Sequence, residues 1–161
     1  MSHTITETYR TSSSAETKKL GHDIGRSLAR GTAAKIRENG PFVIALQGDL
    51  GAGKTTFVQG FLKGLGSKRR AASPTFVLMR RHKLGTGPRA KLLDAYHVDA
   101  YRLKKPRHLS VLGFEKILSE PRNVVLIEWP EQAKKLLPKR TMWIRFKYGK
   151  TENERTIIIT R

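Results

Sequence analysis

Residues 48–55 read Gly48-Asp49-Leu50-Gly51-Ala52-Gly53-Lys54-Thr55, a match to G-x-x-x-x-G-K-[ST] at every position. Each residue type in that pattern has a physical task. The glycines let the backbone turn tightly and bring N–H groups close to phosphate oxygens. A helix opening directly behind the loop adds its positive end. Lys54 is placed to reach the β and γ phosphates as a point charge, and the Thr55 hydroxyl to ligate magnesium. The flanking sequence suits this. Phe42 to Leu46 is a short apolar strand, and Phe57, Val58, Phe61, Leu62 and Leu65 recur at helical spacing after the loop. The chemistry expected is binding of ATP with Mg2+; the chain has no N-K-x-D guanine-reading motif, so GTP is not supported.

Phosphate chemistry of this kind needs a carboxylate near the metal. Val124-Val125-Leu126-Ile127-Glu128 is four apolar strand residues followed by an acid, the Walker B pattern. A parallel strand beside the loop's own strand brings its C-terminal end to the phosphates. Glu128 there is placed to bind magnesium, directly or through water, or to orient the attacking water. A second candidate lies in His97-Val98-Asp99, where period two puts His97 and Asp99 on one face of a strand end. Asp99 therefore competes with Glu128 for the metal or the water. His97 reads as a satisfied structural histidine rather than a base.

The elements that must position these groups follow from the pattern around them. Residues 1–12 are expected as a flexible or edge segment and 13–161 as a single domain. Residues 3–9 alternate weakly, as an edge strand does. Ser13-Ser14-Ala15-Glu16 reads as a capping box for a helix through Ala15, Leu20, Ile24 and Leu28, with Gly31 to stop it. Further strands are expected over Thr75–Arg80, Leu92–Val98 and Asn123–Glu128. Short helices are expected over Leu109–Leu118 and over Glu131–Leu137, the latter stopped by Pro138. Met142–Tyr148 and Arg155–Thr160 should pair across a turn. This order predicts a three-layer α/β fold of the P-loop NTPase kind. Its sheet is mostly parallel, with helices on both faces and an antiparallel C-terminal hairpin at one edge.

Composition narrows the remaining classes. The chain has no cysteine, which removes disulfides, thiol chemistry and Cys-based metal sites. No apolar run approaches the ~18 residues of a membrane span, and residues 1–14 are polar without an apolar signal core. A cytoplasmic location is expected. The formal charge of +19 should attract polyanions such as RNA, in a salt-dependent way, unless it only reflects overall composition.

With these residues in hand, the chain resembles the TsaE family (also called YjeE), the P-loop ATPase of bacterial tRNA threonylcarbamoyladenosine synthesis. The resemblance runs over residues 13 to 160. It rests on Ser14-Ala15-Glu16-Thr17, the loop at 48–56, Ser-Pro-Thr-Phe at 73–76, His-Val-Asp-Ala-Tyr-Arg at 97–102, Leu-Gly-Phe at 112–114 and Ile-Glu-Trp-Pro-Glu at 127–131, in that order. It implies that Thr55 and Glu128 are the magnesium-linked positions, and that Asp99 and Thr56 matter for hydrolysis. It also implies that Ser73, Pro74 and Thr75 form a nucleotide-sensing loop. Trp129, beside the site, would pack either near the nucleotide or in the core. The implied partners are two paralogous synthase subunits, of the TsaD and TsaB type, which modify adenosine 37 of tRNA; a basic face over tRNA is a further expectation. ATP hydrolysis would support that synthase rather than transfer the threonylcarbamoyl group. Family members usually carry acidic residues before Leu-Gly-Phe, and His108-Leu109-Ser110-Val111 carries none.

The alternative is a small-molecule P-loop kinase, with basic clusters such as Arg80-Arg81-His82-Lys83 as phosphate-clamping lids. A module that mainly binds RNA is a third reading, and it lacks interleaved aromatics for base stacking.

Overall fold

The computed structural model describes residues 4–31, 40–69 and 77–161. Strand β1 (Thr6–Thr11) leads into helix α1 (Ser14–Arg30), then β2 (Phe42–Gln47), α2 (Lys54–Gly64), β3 (Met79–Lys83) and β4 (Asp94–Asp99). Helices α3 (Arg107–Val111) and α4 (Phe114–Ser119), strand β5 (Val124–Glu128), a 3₁₀ segment over Pro130–Leu136, and strands β6 (Met142–Tyr148) and β7 (Arg155–Thr160) complete it. The described strands form one sheet in the order β1-β7-β6-β2-β5-β4-β3.

Four central strands, β6, β2, β5 and β4, run parallel. Their apolar runs explain the position: Val124 to Ile127 and Phe42 to Leu46 are all buried, as strands covered on both faces must be. The outer pairings β6–β7, β1–β7 and β3–β4 are antiparallel. The C-terminal hairpin thus forms as expected but does not make the edge. β1 pairs along all of β7, from Thr6 opposite Thr160 to Thr11 opposite Arg155, and takes the edge itself.

The sheet's two faces carry different cores. On one, Phe42, Ile44, Leu46, Val124 and Leu126 meet Leu28 of α1 and Phe57, Val58, Phe61 and Leu62 of α2. Burying each of those large side chains contributes about 1.5–3 kcal/mol. On the other, Val43, Ala45, Val125 and Ile127 meet Leu109, Phe114, Ile117 and Ala133.

Helix α1 starts as its sequence requires. The Ser13 hydroxyl accepts from Glu16 N at 3.1 Å, while the Glu16 carboxylate accepts from Ser12 N at 2.6 Å, one residue before the cap. Gly31 ends the helix in the left-handed region at φ 79, its N–H donating to Leu28 O. Against α2 it packs through glycines whose role lay outside the sequence reading. A Cβ on Gly21 would lie 2.3 Å from Phe57 O, and one on Gly60 would lie 1.9 Å from Lys18 O. Gly25 and Gly64 are as tightly placed, against Phe61 O and His22 O. The two backbones meet where no side chain fits.

Other expectations shift in detail. The helix expected over Leu109–Leu118 is two short helices, because Gly113 adopts φ 76 and breaks the run. The segment before Pro138 is 3₁₀ rather than α. β4 begins at Asp94 rather than Leu92. β3 begins at Met79 and runs on to Lys83; residues 75 and 76 of the strand expected there lie outside the described residues, as does the loop Ser73-Pro74-Thr75. Among the described residues, no helix is long and apolar enough to cross a membrane.

Candidate active site

Three parallel strand ends meet at one level of the sheet. Leu46 of β2 lies opposite Glu128 of β5, and Glu128 lies opposite Asp99 of β4. The chain leaves β2 through Gly48 and enters α2 at Lys54, so the Gly48–Thr55 loop arches over those carboxylate-bearing ends. This is the place where a parallel sheet opens a ligand crevice.

The loop's conformation accounts for its glycines. Gly48, Gly51 and Gly53 sit at φ 150, 76 and 102, in the region closed to most side chains. Ala52 is buried, its N–H donating to Asp49 O at 3.1 Å, and Leu50 points outward at 77% exposed. Gly53 is the cap residue of α2, and no side chain bonds to the first N–H groups of that helix. Its positive end is therefore turned toward the crevice without a partner from the described residues.

Lys54 opens α2 and is only 4% exposed. Its ammonium donates to Gly48 O at 2.5 Å and Asp49 O at 2.8 Å and lies 4.0 Å from the centre of the Trp129 ring. Burial pushes its pKa down, and the carboxylates of Glu128, Asp49, Glu131 and Asp99 pull it back up. Thr55 Oγ1 donates to both oxygens of Glu128, at 3.1 Å to Oε1 and 3.0 Å to Oε2. A hydroxyl and a carboxylate converging this way form a hard-oxygen pair suited to a magnesium ion. Among the described residues no cluster of three or more His, Asp or Glu could hold a metal, so such an ion would complete its shell with water or ligand oxygens.

The two carboxylates have different surroundings. Glu128 is buried, held by Thr55 and by His97, whose Nε2 lies 2.7 Å from Oε1. Asp99 is half-buried, and its Oδ1 accepts from Tyr101 N at 3.0 Å. Both border a cavity of about 540 Å³, together with Lys54, Thr55, Thr56 and Trp129. Trp129 has φ 56, the only described non-glycine residue at positive φ, because it turns the chain from β5 into the Pro130 segment. That strained turn places its indole between Lys54 and Tyr101, whose ring centre is 4.9 Å away.

Of the sequence-predicted residues, Leu50, Gly51, Gly53, Lys54, Thr55, Thr56, Asp99, Glu128 and Trp129 line one crevice, while Gly48, Asp49 and Ala52 belong to the loop without lining it. His97 departs from expectation. Rather than being satisfied, it bonds Glu128 through one nitrogen while its buried Nδ1 has no partner among the described residues.

Two residues on the C-terminal hairpin were not foreseen. Tyr148 Oη donates to Leu50 O at 2.6 Å. Arg155 donates to Gly51 O at 3.1 Å and Ala52 O at 3.2 Å, and stacks 4.5 Å from the centre of the Tyr148 ring. They satisfy the outward-facing carbonyls of the loop. No local pattern announces this, because the contacts span about a hundred residues of chain.

Comparison with known proteins gives a consistent result. A family model described as "Threonylcarbamoyl adenosine biosynthesis protein TsaE" matches residues 11–157. A Bacillus subtilis protein named tRNA threonylcarbamoyladenosine biosynthesis protein TsaE is 35% identical over 135 residues, 84% of this chain and 78% of that one. Its namesake from Haemophilus influenzae is 32% identical over 114 residues, 71% of this chain and 68% of its own length. The Rickettsia conorii protein of the same name is 39% identical over 78% of this chain, and the match spans 62% of that protein. The crystal structure of Bacillus subtilis YdiB superposes with a TM-score of 0.67 at 28% identity, covering 99% of this chain and 88% of that one.

Proposed function

This chain belongs to the TsaE family, and we propose that its P-loop binds ATP with magnesium and hydrolyses it in support of tRNA threonylcarbamoyladenosine synthesis. The names of its relatives support the pathway. The observation that carries the ATPase reading is the contact of Thr55 Oγ1 with both Glu128 oxygens, beneath a glycine loop that leaves the first amides of α2 uncapped.

In this reading the loop amides and the α2 N-terminus receive the phosphates. The Lys54 ammonium exchanges its Gly48 and Asp49 carbonyls for phosphate oxygens, which bear more negative charge. Thr55 and Glu128 would hold magnesium, which when bound would supply neutralisation of the phosphate charge. Asp99, exposed to the cavity and outside the Thr55–Glu128 pair, orients the attacking water. The displacement is in line, with water attacking the γ phosphorus and ADP leaving. Lys54 and the amides stabilise the charge that develops. The indole of Trp129 forms one wall of the nucleotide site.

The partners proposed are two paralogous synthase subunits of the TsaD and TsaB type, with turnover dependent on them. The +19 charge supports an additional contact with tRNA phosphates.

Lys54→Ala tests the mechanism. Partner-stimulated ATP turnover should fall by about 10²–10³-fold while circular dichroism stays that of the folded chain. Retained turnover would remove the mechanism. A pull-down in ATP and in ADP tests the setting. Recovery of the two synthase subunits supports it, whereas turnover stimulated by a small phosphate acceptor instead would make the chain a kinase.

A further inference from the structure

We propose that His97 is a positioning residue, whose buried Nε2–H holds Glu128 Oε1 and so sets the carboxylate for magnesium; this rests on the magnesium reading of Glu128 above. His97 is 0% exposed and lies on β4 opposite Leu126, on the same face of the sheet as Glu128. A carboxylate only accepts hydrogen bonds, so in the 2.7 Å contact the proton sits on Nε2. Among the described residues, Oε1 has two donors, His97 and Thr55, and Oε2 has Thr55 alone. One oxygen is therefore fixed from within the core. Oε2, with Thr55 as its one donor among the described residues, is the oxygen that could be shared with a magnesium ion.

A plain packing role explains the residue less well. The neighbouring inward position on β4 is Ala95, and the core on that face is apolar apart from the buried His82 opposite Ala95. A leucine at 97 would fill such a site without polar atoms. The imidazole instead buries an Nδ1 that has no partner among the described residues, a desolvation cost that packing does not repay. Partners that orient a metal-binding side chain justify such a cost, since losing one typically lowers metal affinity or activity by about 10–100-fold.

The test uses the full chain with ATP and Mg2+ as probes. Nucleotide affinity is measured in EDTA and across a magnesium titration, alongside partner-stimulated turnover and melting temperature. His97→Leu should raise the magnesium concentration for half-saturation by about tenfold or more, with affinity in EDTA unchanged. His97→Gln, whose amide nitrogen can occupy the Nε2 position, should recover most of the loss. His97→Asn, whose amide falls short of Glu128, should not. If His97→Leu does not fold, the Gln and Asn variants carry the test, and equal magnesium dependence in those two overturns the proposal. Glu128→Gln separates the two layers of the argument. Loss of magnesium dependence there, with His97→Leu behaving as wild type, defeats the His97 inference alone. Wild-type nucleotide binding indifferent to magnesium defeats both.

Discussion

Helices α1 and α2 lie side by side on one face of the sheet, and they begin in opposite ways. α1 uses its own side chains on its N-terminus: Ser13 accepts from Glu16 N, and Glu16 accepts from Ser12 N. α2 has Gly53 at its cap position with no capping side chain, and its first residue, Lys54, is buried. Both carry the same N-terminal partial charge of about half a unit. In α1 it is consumed within the chain, and in α2 it faces a crevice that Glu128 and Asp99 border from below. A helix that completes its own end serves the fold, while one left incomplete beside converging polar groups is, in the proposed reading, open to a ligand. The glycines divide in the same way. Those at 21, 25, 60 and 64 are needed for lack of a Cβ, those at 51 and 53 for the sign of φ, and Gly48 for both, since a Cβ there would lie 2.8 Å from Phe146 O.

The largest effect expected lies at the helix–helix contact. Gly60→Ala drives a methyl into Lys18 O, an overpacking cost on the order of 3 kcal/mol. The melting temperature should then fall by about 6–12 °C, with nucleotide affinity of the folded fraction nearly unchanged. A large affinity loss there would erase the division just drawn. Gly53→Ala should show the reverse. Its new Cβ meets nothing closer than Thr17 Cγ2 at 3.5 Å, so the cost is the left-handed backbone, about 1–2 kcal/mol. ATP affinity should nonetheless drop at least about tenfold, equivalent to about 1.4 kcal/mol, since the redirected amides are those proposed to receive the phosphates. Unchanged affinity in calorimetry would count against the cradle.

A third expectation concerns pH, where the α1/α2 face runs on to β3. His82 is buried, with Nδ1 3.2 Å from Ser67 Oγ just beyond α2. Burial first, then the charges of His97, Arg69 and Arg80, lower its pKa from 6.5 to about 4. The unfolded chain therefore binds this proton more readily than the folded one. Its neutral form supports the fold fully above pH 6.5, and that support is lost as pH falls toward about 4. His82→Gln should flatten this part of the stability profile in urea titrations; an unchanged slope would assign it to other groups. The smallest effect belongs to the α1 cap. Ser13→Ala should cost about 1 kcal/mol, or about 2–4 °C in melting temperature, with ATP affinity untouched.

Much of the crevice was legible because its parts are local. Gly48 to Thr55 is one unbroken pattern, and a strand pattern ending in an acid marks Glu128. The parallel pairing of their strands then follows from apolar runs that only a sheet covered on both faces can hold. The residues that escaped were those defined by distant contact. Tyr148 and Arg155 reach the glycine loop from the far end of the chain. His97 could be placed on the face of Asp99 by period two, but its bond to Glu128 depends on the β4–β5 register. The hairpin's place one strand in from the edge depends likewise on β1 returning to pair with β7.

The chain's residue order by itself determined the glycine loop, the helix it opens, the apolar strands beneath it and the stop at Gly31, since each depends on backbone freedom and side-chain chemistry over a few neighbours. Only the tertiary structure decided which carboxylate meets Thr55, which imidazole meets that carboxylate, and which glycines exist to let two helices touch. Those are matters of register and close approach between segments far apart in the chain, and a linear pattern carries no coordinate for either.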